Sequence, residues 1–179
     1  MTDKKELRKY AKEIKKSIDL KEISKEIQSS VFKLLLIDKP ETVMLYMALP
    51  DEIETDVLYD SLEKAGVKCC FPVVSGDSIV VKDTSEGFHK GSYGILEPVG
   101  NVTDSESIDV CVVPGVMFDT SCHRLGRGGG YYDRFLSKLN CRKIGICADA
   151  LLADSIPFEK TDVDVDIVVT EKRMVLNGR

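Results

Sequence analysis

Leu7, Ala11, Ile14 and Ile18 recur at helical spacing with lysines between them, and predict an amphipathic helix over residues 4–18. Asp19 then offers an N-cap, and Glu22 stands three residues later as in a capping box. The spacing predicts a second helix with Ile23, Ile27, Val31 and Leu34 or Leu35 on one face, closed by Pro40. "TVMLYMAL" (42–49) is an apolar run of strand length. "ETDVLYDSLEKAG" reads as a helix capped by Thr55 and ended by Gly66. "VKCCFPVV" and "SIVVK" read as strands joined by a Ser75-Gly76-Asp77 turn. Residues 84–107 are loop-rich, and "SIDVCVVP" is a buried-type strand. A glycine-rich segment follows, then a helix through Leu139, then strands in "KIGICA" and "VDIVVT".

Strands alternating with helices from residue 42 onward predict an α/β domain with a largely parallel sheet and helices on both faces. The two N-terminal helices are expected to pack on that sheet. The 179 residues suit a single domain over 1–179. A hydrophobic content of 43% is enough for a core without disulfides or metals. The net charge of −5 argues against a nucleic-acid partner, which calls for a basic face, while leaving room for a local basic pocket. None of the six cysteines forms a C-x-x-C pair. Cys69, Cys70, Cys111 and Cys147 lie in apolar runs and are expected to be buried free thiols. The start "MTDKKELRKY" lacks the apolar core of a signal peptide, and no apolar run approaches the ~20 residues of a membrane span. The expectation is a soluble, cytoplasmic protein with no membrane partner.

"RLGRGGGYYDRFL" (124–136) carries the candidate chemistry. Glycine costs more backbone entropy on folding than any other residue, so such a run needs a reason. Between a strand and a helix of an open α/β sheet, it lets backbone N–H groups approach an anion. Arg124 and Arg127 add cations, and Asp133 offers the hard oxygen that magnesium takes beside phosphates. The segment matches neither G-x-x-x-x-G-K-[ST] nor G-x-G-x-x-G, because Tyr131 occupies the third glycine position of the latter. A solvated surface turn with packed tyrosines is the bland alternative.

"PGVMFD" followed by "RLGRGGGYYDR" closely resembles the signature of the 5-formyltetrahydrofolate cyclo-ligases, also called methenyltetrahydrofolate synthetases. "KKELR", "DEIETD" and "TDVDVDIVVTE" agree with that family in order and spacing. The resemblance implies a three-layer α/β/α fold and an enzyme, and the chain is expected to be a monomer. The reaction it implies uses ATP and magnesium to convert 5-formyltetrahydrofolate to 5,10-methenyltetrahydrofolate, releasing ADP and phosphate through an iminium phosphate. By the same resemblance, Lys4, Lys5, Glu6, Leu7 and Arg8 would contact ATP. So would Arg124, Leu125, Gly126, Arg127, Gly128, Gly129, Gly130, Tyr131 and Tyr132. Leu49, Glu54 and the stretch Arg127–Tyr131 would contact the folate, and Asp133 and Asp162 would bind magnesium. Arg124, Arg127 and Tyr131 would form the catalytic set, and "YGILEP" (93–98) would border the pterin pocket.

The chain departs from the family pattern in three places. Cys122 stands where a turn glycine is frequent, Asp154 where a glutamine is common, and "KTD" where bacterial members often have a His-Asp pair. Asp162, Asp164 and Asp166 alternate as they would in an edge strand. A non-catalytic folate- or nucleotide-binding protein on the same scaffold is the alternative of another class.

Overall fold

A computed structural model of the chain describes residues 3–91 and 96–178. Helix α1 spans Lys4–Lys15 and opens on Asp3, whose carboxylate accepts the Lys5 N–H. Helix α2 (Leu20–Asp38) opens on Asp19, which accepts the N–H groups of Lys21 and Glu22. It ends where Lys39 turns left-handed (φ 50°), just before Pro40. Strand β1 (Thr42–Met44), helix α3 (Asp56–Lys64) and the hairpin β2 (Lys68–Ser75)–β3 (Ser78–Asp83) follow. Then come β4 (Phe88–Lys90), β5 (Leu96–Pro98), β6 (Val110–Pro114), β7 (Met117–Asp119) and β8 (Arg124–Leu125). The chain finishes with α4 (Tyr131–Leu136), β9 (Arg142–Ile146), β10 (Leu152–Ala153), β11 (Ile167–Val169) and β12 (Met174–Leu176).

The central sheet has the order β12-β11-β9-β6-β1-β2-β3. Its five inner strands are parallel, and β3 and β12 close the edges antiparallel. Side chains along its strands alternate between two cores. Val43, Cys69, Val110, Val112, Ile144 and Ile167 meet Ile27, Val31 and Leu35 of α2 and Leu58 and Leu62 of α3. Met44, Cys70, Cys111, Val113 and Val168 meet Leu7 and Ala11 of α1, Phe135 and Leu136 of α4, and the small sheet β10-β7-β8. That two-sided burial is why the strands read as unbroken apolar runs. It also sends the adjacent Cys69 and Cys70 to opposite faces, where both are free and buried. Burial pushes each of these thiols up to about 12. No helix among the described residues is long and apolar enough to cross a membrane.

The two N-terminal helices do pack on the sheet as expected, α1 with its apolar stripe over β7 on one face and α2 beside α3 on the other. Several elements differ from the sequence reading. The strand expected over 42–49 stops at Met44. Beyond it, Tyr46 donates its hydroxyl to Ile53 O, and Thr55 donates to Tyr46 O, folding 46–55 into a loop. Thr55 therefore makes no side-chain cap on α3. Helix α4 ends at Leu136, where the Lys138 and Leu139 N–H groups turn back to Phe135 O and Leu136 O. The loop-rich stretch contains the hairpin β4–β5, and Phe88 joins Tyr59 and Phe71 in an edge-to-face trio. Residues 93–95 of "YGILEP" lie outside the described residues. Asp162, Asp164 and Asp166 precede β11, which is an inner strand, so they do not mark an edge.

The small sheet is pressed against the large one by Phe118, which has no exposed surface. A Cβ on Gly145 would lie 2.4 Å from the Phe118 ring, and one on Gly115 also 2.4 Å. Gly145→Ala is expected to cost about 2 kcal/mol or more by overpacking. Thermal denaturation would register it as a drop of several degrees in Tm. An unchanged Tm would mean that Phe118 has room the packing denies.

Candidate active site

A cavity of about 650 Å³ opens beyond the carboxyl end of β6, at Pro114, Gly115 and Val116. Open α/β sheets bind ligands at that end of their strands. Its walls come from α1 (Lys4, Arg8), residues 124–130, the start of α4 (Tyr131–Arg134), the β2–β3 hairpin (Pro72, Val74, Ile79), Glu52, and the strap Glu159–Asp162. The lining carries five cations (Lys4, Arg8, Arg124, Arg127, Arg134) and four carboxylates (Glu52, Asp133, Glu159, Asp162).

Arg124 is fixed by β8, where it pairs opposite Phe118 and turns its guanidinium inward. The residue is 5% exposed. It donates to Asp133 Oδ1 at 2.7 Å and lies 5.5 Å over the Tyr132 ring. Its Nε is buried and has no partner among the described residues. A buried guanidinium donor without a partner suits an anion seated beside it. Asp133 Oδ1 also accepts the Val163 N–H at 3.4 Å, which brings Asp133 next to Asp162. Asp162 in turn accepts Lys4 Nζ at 2.6 Å and the Glu159 N–H at 2.8 Å. Arg8 donates to Gly126 O at 2.8 Å and ties α1 to the glycine segment.

Gly128 (φ 105°) and Gly130 (φ 67°) hold that segment in conformations that L side chains rarely adopt. The turn so made carries Arg127 to Asp51 Oδ1 at 2.5 Å and to Glu52 Oε1 at 2.9 Å. Lys15 reaches the same Asp51 at 3.2 Å. Helix α4 is only six residues long, so anion attraction rests on the side-chain cations more than on a helix dipole. Two carboxylates from separate segments match what magnesium takes from a protein when phosphates and waters complete its shell. Among the described residues no larger cluster of metal-ligating side chains forms. Burial pushes the Tyr132 hydroxyl well up, so it stays protonated.

Burial works against a charged carboxylate at Asp162. The Lys4 ammonium, the Glu159 N–H and the nearby Arg124 outweigh it and hold the pKa below its ordinary 3.8. Such a group stabilises the fold above its unfolded pKa, and that contribution fades as pH falls through the lower, folded value. The Tm gap between wild type and Asp162→Asn is therefore expected to stay constant from roughly pH 8 to 6 and to close below about pH 4. A gap that persists unchanged at acid pH would show that the charge is not what stabilises.

The structure gathers Lys4, Arg8, Arg124–Tyr132, Asp133 and Asp162 around one cavity. It does not bring Lys5, Glu6, Leu7, Leu49 or Glu54 to that lining. Leu7 packs in the core, and Lys5 and Glu6 face solvent. Leu49 gives its N–H to Glu52 Oε2, while the Glu54 N–H bonds Ser24 Oγ on the α2 side. Glu52, one turn of extended chain earlier in "DEIETD", is the member that lines the cavity. The sequence marks the acidic loop but not which of its alternating carboxylates points inward. Arg134 and Glu159 are further lining residues that pattern reasoning missed. Cys122 has a left-handed φ of 65° and closes the turn from Asp119, which explains why glycine suits that position. Asp154 is exposed, and its carbonyl accepts Thr120 Oγ1.

A model of the 5-formyltetrahydrofolate cyclo-ligase family matches residues 1–171. The chain belongs to that family. The cyclo-ligase of Mycolicibacterium smegmatis is 32% identical over 129 residues, covering 65% of this chain and 66% of that protein. The cyclo-ligase of Saccharomyces cerevisiae is 35% identical over 88 residues, covering 45% and 42%. These alignments span less than two thirds of the relatives' own length. The NMR structure of 5,10-methenyltetrahydrofolate synthetase from Aquifex aeolicus superposes with a TM-score of 0.87 at 30% identity, covering 98% of this chain and 93% of that one. A synthetase from Mycoplasma pneumoniae, at 24% identity and a TM-score of 0.80, shares the fold. The architecture of this chain is thus shared with solved members of the family over nearly its whole length.

Proposed function

We propose that the protein catalyses the ATP- and magnesium-dependent conversion of 5-formyltetrahydrofolate to 5,10-methenyltetrahydrofolate. The observation that carries this reading is the convergence of Lys4, Arg8, Arg124 and Arg127 on the cavity that the glycine segment lines, with Asp133 held beside Asp162 by the Val163 N–H. Magnesium, held by Asp133 and Asp162, would neutralise phosphate charge. The chain's own groups do the rest. Lys4, Arg8 and the 124–132 segment bind the triphosphate, and the exposed backbone of Gly128–Gly130 lets it lie close. Arg124, buried and oriented by Asp133, holds a fixed positive charge where charge develops during transfer. Arg127 and Tyr131 border both substrates.

The formyl oxygen attacks the γ-phosphorus and ADP departs, leaving N5 as an iminium carrying a phosphorylated oxygen. N10 attacks the formyl carbon and loses its proton, and phosphate leaves with the C–O electron pair as the ring closes. Phosphoryl transfer of this kind needs positioning and charge neutralisation rather than a protein nucleophile. Neither histidine lines the cavity: His123 pairs with Asp119, and His89 lies on β4. The free, buried cysteines fit a reducing, cytoplasmic setting, and the reading takes the protein as a monomer.

The test is absorbance in the methenyltetrahydrofolate band after mixing the protein with 5-formyltetrahydrofolate and magnesium, with and without ATP. An ATP-dependent rise is expected. Binding of both ligands without a rise would convert the reading to a non-catalytic binder, and no folate binding would overturn it.

A further inference from the structure

Arg134 is the one lining arginine outside every role assigned so far. Arg124 and Arg127 are paired with carboxylates, and Arg8 with Gly126 O. Arg134 has no carboxylate partner among the described residues. Instead its guanidinium donates from Nη1 to Gly129 O at 3.2 Å and from Nη2 to Asp77 O at 3.2 Å. Those carbonyls belong to two different segments, the glycine segment and the tip of the β2–β3 hairpin. The same group lies 5.0 Å over the Tyr131 ring. It passes so close to Gly130 that a Cβ there would sit 2.7 Å from Nη1. A smaller cavity of about 300 Å³ lies behind the first, lined by Ser78, Thr103, Phe135 and Lys138, and the two share only Ile79, Tyr131 and Arg134.

We propose that Arg134 is a positioning residue: a latch that fastens the hairpin tip to the glycine segment and keeps Pro72, Val74 and Ile79 as one wall of the active cavity. A planar guanidinium suits the task because it presents separate N–H groups to two acceptors at fixed angles, which an ammonium cannot do. Its face on Tyr131 holds the plane in that orientation. The hairpin tip is otherwise joined to the glycine segment by no hydrogen bond among the described residues. The latch shapes the cavity equally for bound substrate and for the transition state, so its loss raises KM and leaves kcat in place. This assignment rests on the proposed function for its kinetic arm alone.

The experiment compares wild type, Arg134→Met and Arg134→Lys by hydrogen exchange of the unliganded protein, steady-state kinetics and Tm. In Arg134→Met, amides around the hairpin tip (residues 75–78) are expected to exchange about tenfold faster, with the inner strands unchanged. KM for at least one substrate should rise about tenfold with kcat within about twofold. Arg134→Lys should behave like the Met variant, since charge without the fork cannot bridge two carbonyls. Wild-type behaviour of Arg134→Lys would overturn the latch, as would unchanged exchange at the hairpin in Arg134→Met. A general acceleration across the inner strands with a large loss of Tm would reduce Arg134 to a stability role and also overturn it. If wild type shows no turnover, the proposed function fails, and the exchange comparison still decides the latch.

Discussion

Asp133→Asn is expected to lower turnover by about 10²–10³-fold, the range seen when one fixed electrostatic group at a reacting centre is lost. Asparagine keeps an oxygen for Arg124 and for the Val163 N–H, so the local hydrogen bonds survive while the negative charge goes. Two consequences separate. In the proposed site magnesium would lose an anionic ligand, so stabilisation by ATP should no longer improve when magnesium is added. Arg124, 4% exposed at its side chain, loses its counter-charge, so ATP alone should raise the Tm of the variant at least as much as it does for wild type. Removing one partner of a buried pair costs about 3–5 kcal/mol at full burial. Asp133 is partly exposed and the amide retains its bonds, so roughly 1–2 kcal/mol is expected. Normal turnover with a normal magnesium response would remove Asp133 from the metal.

Gly128→Ala should cut kcat/KM by about 10²-fold while lowering Tm only slightly. A Cβ there would be 3.5 Å from the Arg8 guanidinium, an ordinary contact, so space is no obstacle. The obstacle is the backbone, because at φ 105° an L side chain is strained by about 1–3 kcal/mol. The loop is exposed and can relieve that strain by moving. Movement carries Arg127 away from Glu52 and Gly126 O away from Arg8. Gly66→Ala supplies the contrast. Gly66 has φ 79° and nothing within 4 Å, but it ends α3 far from the cavity lining. It should cost a similar strain in stability and nothing in catalysis. Equal activity losses in both variants, or none in Gly128→Ala, would refute the claim that the loop conformation positions the site.

Much of this was legible in the chain. The apolar runs at 42–49, 67–74, 107–114 and 143–148 read as strands, and runs of that kind buried on both faces call for a parallel sheet between helical layers. Asp19 and Pro40 bracket α2 because capping and the missing proline N–H act within a few residues. The clustered glycines, flanked by arginines and an aspartate, marked the loop that lines the cavity, because their cost is local and needs a local reason.

The rest depends on contacts between segments distant in sequence. The small sheet β10-β7-β8 is built from strands too short to declare themselves, and it exists because Phe118 fills the space left by Gly115 and Gly145. Glu52 rather than Glu54 reaches the cavity because Tyr46, Ile53 and Thr55 fix the direction of that loop. Arg134 joins the glycine segment to a hairpin 57 residues away in sequence, a relation no periodicity can encode. Most helices and long strands, the two-faced sheet and the glycine loop that borders the cavity could be read from the chain alone, because those follow from local backbone chemistry and apolar period. Which carboxylates and arginines meet, and through which carbonyls, was decided only when the tertiary fold brought Lys4 to Asp162, Arg124 to Asp133 and Arg127 to Glu52.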